Sequence, residues 1–214
     1  MRLLDRLPEL KWVKVGSILM TREGAPLVRG LIGRGLRVFL DLKWHDIPNT
    51  VAGAVTAARE LGVSMATVHA LGGRTMMEAA AGAGGTDLAL VAVTVLTSHD
   101  PASYGQATGR EAVALVDETV RQAKAAVSAG LAGVVCSAAE VASVRRVLPE
   151  ETLLVVPGIR REKDTAGDQV RFATPGEAVR AGATHLVVGR PVLQAPDPAA
   201  ALTQFVEEAR CAVS

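Results

Sequence analysis

The chain has 214 residues, of which 49% are hydrophobic, and a net charge of +1. That composition excludes a disordered chain, and a charge so near zero provides no field to gather nucleic acid or coat an anionic membrane. The length suits one large domain with a sizeable core, and no linker or low-complexity stretch divides residues 1–214.

The chain opens on MRLLDRLPELK, which carries charges through its apolar stretch and so is not a signal peptide. It reads as the end of a helix. WVKVG (12–16) is the first β-branched run, and LRVFLDLK (36–43) the second. VAGAVTAARELG (51–62) then has helical period and closes on Gly62. SMATVHA (64–70) and LALVAVTVL (88–96) are the third and fourth strands; the latter is about half the length a membrane helix needs. EAVALVDETVRQAKAAVSAG (111–130) is the next helical segment, ending at Gly130. GVVCS (133–137) is the fifth strand, and its Cys136 reads as a buried small hydrophobe. Cys136 and Cys211 match neither a metal spacing nor a disulfide framework. AAEVASVRRVL (138–148) is helical, TLLVV (152–156) and THLVVG (184–189) are strands, and Gly182 precedes the last of them. Glycines at helix ends supply the left-handed residue that such caps require. A soluble, cytoplasmic protein is expected.

Strands apolar on both faces that alternate with helices predict a parallel sheet covered by helices. A doubly wound sheet would carry a glycine fingerprint after its first strand, and no GxGxxG follows WVKVG. Polar residues stand instead beyond the C-terminal ends of several strands: Lys43 and Asp46, His69, Thr97 and Ser98, Arg160, Arg190. A (β/α)8 barrel distributes its active residues in this way, around one rim. The predicted fold is therefore a TIM barrel, although only seven strands can be counted.

FLDLKWHDIPNT (39–50) ends an apolar strand in alternating charges. Residues two apart in a strand share a face, so Phe39, Asp41 and Lys43 are expected to point into the barrel and Val38, Leu40 and Leu42 away from it. Lys14 lies on the neighbouring strand. Of 23 Lys and Arg only five are Lys, leaving 18 Arg, and two of the five lie on barrel strands. Lysine can release a proton where arginine cannot. Two lysines interleaved with Asp41 and Asp46 can form a charged array with one lysine as proton donor. A structural ion-pair network is the other reading, because buried charges must be paired to be tolerated.

At the opposite end of the chain, Gly189 and Arg190 follow the final strand. A glycine lets the backbone N–H approach an anion, and arginine offers it a forked donor. The preceding loop, 157–175, is long and polar, as a lid over a phosphate would be. A plain strand-to-helix turn is the alternative for VGR alone. Among the histidines, His69 suits either the site or the core, His45 suits a structural role, and His99 and His185 belong to no constellation. No His pair has metal-ligand spacing.

DLKWHDIPNTV, with WVKVG before it and HALGGRTMM, VTVLTS, PGIR…DQVR and VVGR after it, resembles the orotidine 5′-phosphate decarboxylase family, in its bacterial branch. The resemblance runs in order along nearly the whole chain. It implies a ribulose-phosphate-binding type of barrel that decarboxylates orotidine 5′-phosphate to uridine 5′-phosphate, the last step of pyrimidine synthesis, with no cofactor and no metal. It implies that Lys14, Asp41, Lys43 and Asp46 form the charged array. Lys43 would protonate C6 of the pyrimidine, and Asp41 would sit beside the substrate carboxylate. Asp46, Ile47 and Thr50 would come from the partner subunit of a homodimer with shared active sites. Thr97 and Ser98 would contact the pyrimidine, and Gln169, Gly189 and Arg190 the phosphate, with Arg160 at the base of the lid.

Two alternatives remain. A sister phosphosugar decarboxylase or aldolase-type barrel would use DxKxxD with magnesium, though without the DIPNT, LTS and DQVR elements. A non-catalytic barrel is the other, because the resembled family begins with an aspartate-bearing strand for which MRLLDRLPEL offers no counterpart. Asp5 lies in helical context and is no substitute. The expectation is that an upstream apolar strand containing Asp precedes residue 1, that a chain lacking it is weakly active, and that the space between strands 12–16 and 184–189 is open, narrowed or filled.

Overall fold

The computed structural model describes residues 3–111, 113–161 and 173–212. They fall into two compact units, one of Pro8–Val93 with Ala125–Val134, the other of Met1–Leu7, Thr94–Lys124 and Val135–Ser214.

The first unit alternates strand and helix: β1 (Trp12–Gly16), α1 (Ser17–Ile32), β2 (Arg37–Trp44), α2 (Pro48–Glu60), β3 (Met65–His69), α3 (Gly73–Gly84) and β4 (Ala89–Val93). The strands lie in the order β1-β2-β3-β4, and every pair is parallel. Val38, Phe39 and Leu40 of β2 and Met65, Ala66 and Val68 of β3 are all buried. Burial on both faces is why these runs read as continuously apolar. α2 starts on Pro48, whose missing N–H costs nothing at a first helical position. Its buried Val51, Val55 and Ala58 recur at helical spacing and form the face it turns inward. α1 is interrupted at Gly24, whose φ of 62° and ψ of −159° no helix contains.

The second unit contains α4 (Pro101–Thr108), α6 (Ala138–Arg145), β6 (Leu153–Val156), α7 (Pro175–Arg180), β7 (His185–Leu186), α8 (Arg190–Leu193) and α9 (Pro198–Cys211). Both α5 (Leu115–Ser128) and β5 (Gly133–Val135) are divided between the units. β6 and β7 are parallel, with Val155 opposite His185. Three helices start on reciprocal capping boxes, Asp100 with Ser103, Ser137 with Glu140 and Thr174 with Glu177, which satisfy otherwise orphaned amides. Cys136 is buried, and desolvation beside Glu140 pushes its thiol up to about 12, so it packs as an inert hydrophobe as expected.

Among the described residues seven strands stand where seven runs were read, and Gly62, Gly130 and Gly182 have positive φ. Gly182 has a second reason to be glycine: an added Cβ would lie 2.8 Å from Arg145 Cγ. Several boundaries differ: the strand expected over 88–96 ends at Val93, the one expected over 133–137 ends at Val135, and the helix expected over 138–148 ends at Arg145. The helix expected from 111 begins at Leu115, where Asp117 and Glu118 provide favourable charge for its first turn. The strand expected over 184–189 narrows to His185–Leu186, although Val187 still donates to the Val156 carbonyl at 2.9 Å. Asp5 sits in a single 3-10 turn, Leu4–Arg6, in keeping with its helical context.

Candidate active site

The first unit assembles the charged array. Gly16, at the end of β1, is in register with Asp41 on β2, and Lys14 with Phe39. Lys14 Nζ reaches Asp41 Oδ2 at 3.3 Å, and Lys43 Nζ donates to Asp41 Oδ1 at 2.8 Å. One carboxylate thus lies between two ammonium groups. The Asp41 side chain is only 14% exposed, whereas Lys14 and Lys43 are 36% and 39% exposed. Burial by itself would raise the Asp41 carboxyl, but the hydrogen bond and charge of Lys43, with Lys14 behind them, outweigh it and hold the group below its ordinary value.

The backbone beneath this array is irregular. Leu40 pairs with Ala66 and Trp44 with Val68, so residues 41–43 of β2 face Thr67 alone. Lys43 takes a φ of 53°, the one positive value at a non-glycine residue among those described. Simple alternation along β2 therefore stops at the bulge, and the shared side of Asp41 and Lys43 is settled by their direct bond. Thr67, fully buried, accepts the Lys43 N–H at 2.7 Å and donates to Asp41 Oδ1 at 3.2 Å. Sequence reasoning missed Thr67, since a threonine in an apolar strand looks like an ordinary β-former. Its one signal was a shared strand face with His69.

Asp46, Ile47 and Thr50 are all exposed, with Ile47 at 66%. Asp46 Oδ1 accepts the Ile47 N–H at 2.6 Å as α2 begins. His45 and His69 stack with ring centroids 5.5 Å apart. The half-buried His69 accepts the Leu71 N–H at its Nδ1, and desolvation, then the charges of His45 and Lys43, lower it to about 4. It is therefore neutral near pH 7.

The second unit carries the other expected residues. Thr97 is half-buried and Ser98 exposed, within a turn closed by the His99 N–H to the Leu96 carbonyl at 3.0 Å. Arg160 is buried, and its N–H donates to the Ala173 carbonyl at 3.0 Å. Gly189 precedes α8, and a Cβ added there would meet nothing within 4 Å among the described residues, whose packing therefore does not demand glycine. Arg190 is exposed at the first position of α8. Gln169 and most of the expected lid lie outside the described residues. Among the described residues no group of three His, Cys, Asp or Glu could hold a metal ion, and no helix is long and apolar enough to cross a membrane.

A family model described as "Orotidine 5'-phosphate decarboxylase / HUMPS family" matches residues 1–205. The chain belongs to that family. It is 53% identical over 201 residues to the orotidine 5′-phosphate decarboxylase of Chromohalobacter salexigens, an alignment covering 92% of this chain and 84% of the relative. The corresponding protein of Halorhodospira halophila is 51% identical over 209 residues, covering 94% and 86%. The crystal structure of orotidine 5′-phosphate decarboxylase from Lactobacillus acidophilus superposes with a TM-score of 0.86 at 34% identity, over 97% of this chain and 92% of that one. The fold of this family member is a (β/α)8 barrel, for which the described residues supply seven strands.

Proposed function

We propose that this family member decarboxylates orotidine 5′-phosphate to uridine 5′-phosphate. The observation that carries the reading is the Asp41 carboxylate held between Lys14 and Lys43, within a chain about half identical to proteins of that name.

The bond from C6 of the pyrimidine to its carboxylate breaks, carbon dioxide leaves, and the electron pair remains on C6. That carbon delocalises charge poorly, so a fixed ammonium aimed at it stabilises the transition state without reorganising solvent. Lys43 is the proton donor: its Nζ proton passes to C6, and solvent restores the lysine. Asp41 keeps Lys43 and Lys14 oriented and stands beside the substrate carboxylate. Its low proton affinity, set by those lysines, keeps it anionic throughout.

The remaining roles follow the family resemblance. Thr97 and Ser98 contact the pyrimidine, and Gln169, Gly189 and Arg190 bind the phosphate, with Arg160 at the base of the lid. The space at Gly189, where no described residue would meet an added Cβ, supports an approaching anion there. Remote phosphate binding then contributes to the transition state. Asp46, Ile47 and Thr50 act on the partner subunit's substrate; their exposure, with an apolar Ile47 facing outward, supports a homodimer with shared sites. Residues 1–214 form one barrel domain, in a cytoplasmic protein that needs neither cofactor nor metal and binds neither nucleic acid nor membrane.

The test is conversion of orotidine 5′-phosphate by the purified chain, followed as uridine 5′-phosphate formed, with and without a chelator. Turnover unchanged by the chelator is expected. No product from folded protein overturns the reading, and turnover that returns only with magnesium transfers it to a metal-dependent barrel.

A further inference from the structure

We propose that Thr67 is a positioning residue for the proton-donating lysine, an inference that rests on the decarboxylase reading above. Three hydrogen bonds close a ring through Lys43 itself: the Lys43 backbone N–H donates to Thr67 Oγ1, Thr67 donates to Asp41 Oδ1, and that same oxygen accepts Lys43 Nζ. The Lys43 main chain and side chain are thus tied to one another through two neighbours.

The polarity of the ring has one solution. An amide N–H can only donate and an ionised carboxylate can only accept. Thr67 must therefore spend its single proton on Asp41 and receive the Lys43 amide on a lone pair. The side chain is fully buried, so water does not compete for either bond.

The need for such a clamp comes from the bulge. Three residues of β2 oppose Thr67 alone, so the regular ladder supplies no carbonyl partner for the Lys43 amide. Lys43 also holds a left-handed conformation, which an L-residue with a long side chain leaves unless its surroundings over-determine it. Strain of this kind sits at the residue that must aim an ammonium at one atom. Thr67 holds the strained backbone at 2.7 Å and, through Asp41, the charge that orients the Nζ. A misplacement of the donor of about 1 Å can cost on the order of a hundredfold in rate.

The test compares Thr67→Val, which keeps the shape and removes the hydroxyl, with Thr67→Ser, which keeps the hydroxyl. For Thr67→Val we expect kcat to fall by about 10- to 100-fold with KM within about threefold of wild type. Thr67→Ser should recover kcat to within about threefold of wild type. Independently of turnover, hydrogen exchange of the Lys43 amide should quicken in Thr67→Val and slow again in Thr67→Ser, with the Leu40 and Val68 amides unchanged. If Thr67→Val does not fold, Thr67→Ala against Thr67→Ser makes the same comparison. An active wild type whose hydroxyl-free variants keep kcat within twofold overturns this inference alone, as does a serine variant no better than valine. A folded wild type without turnover overturns the decarboxylase reading and the positioning role with it.

Discussion

Asp41 Oδ1 and Lys43 Nζ lie 2.8 Å apart, although only Leu42 separates the two residues on β2. The same carboxylate pairs with Lys14 through its other oxygen at 3.3 Å. Neither lysine is deeply buried, whereas the anion between them is. A pair serving stability alone has no need to leave its cations at solvent, where exposed pairs contribute little. An array that must present an ammonium to a bound molecule does.

Replacing Lys43 by alanine removes the proposed proton donor and the central positive charge. Turnover should be abolished while circular dichroism and the mass in solution stay those of wild type. Retention of more than about a tenth of kcat, equivalent to about 1.4 kcal/mol of barrier, contradicts the assignment.

Arg190→Ala should weaken uridine 5′-phosphate much more than uridine in calorimetric titration. A charge-assisted bond to phosphate contributes about 1.5–3 kcal/mol, which the nucleoside cannot lose. Equal losses for nucleotide and nucleoside place the phosphate elsewhere.

Asp46→Asn and Lys43→Ala should complement each other. If Asp46 acts across a dimer, mixed subunits create one site per heterodimer that holds both native residues. Two inactive variants, exchanged under mild denaturant, should together regain part of the wild-type rate. A mixture that exchanges and stays inactive assigns Asp46 to its own chain.

Glu118 anchors the second unit: it accepts from Tyr104, Gln122, Arg110 and Arg121, and the Arg121 guanidinium above all holds its carboxyl far below the carboxylate range. Glu118→Ala strands the buried Tyr104 and Gln122 groups and should cost about 2–3 kcal/mol in urea unfolding. Arg121 is largely exposed, so Arg121→Ala should cost less than about 1 kcal/mol. Equal costs would show that the arginine, not the buried acceptor, organises the cluster.

His69 predicts an acid weakness. Its folded value near 4 lies below the ordinary 6.5, so between those values the unfolded chain binds a proton that the folded chain refuses. Stability present above 6.5 is lost as pH falls toward 4. Because the ring is partly exposed, the loss between about pH 7.5 and about pH 5 should be on the order of 1 kcal/mol. His69→Gln should lack that increment when urea midpoints are compared at the two pH values. An identical pH dependence in the variant assigns the acid loss to other groups.

Much of this protein follows from local chemistry. Val38, Phe39 and Leu40 mark a strand buried on both faces; the period of Val51, Val55 and Ala58 marks a helix face; Gly62 and Gly182 mark helix ends because each needs a positive φ. Asp41, Lys43 and Lys14 were legible as one charged group because side-chain type and strand period depend only on near neighbours. The bulge was not legible, since it depends on how β2 registers against β3, a pairing between residues 24 to 26 positions apart. Thr67 gained its role in the same step: an ordinary β-former in its own strand, it becomes the acceptor for Lys43 only when the bulge removes the ladder partner. The narrowing of the last strand to His185–Leu186 is likewise a matter of pairing with β6. Residue types and their spacing determined which groups could act, while hydrogen-bond register, a property of two strands at once, decided how the lysine is held.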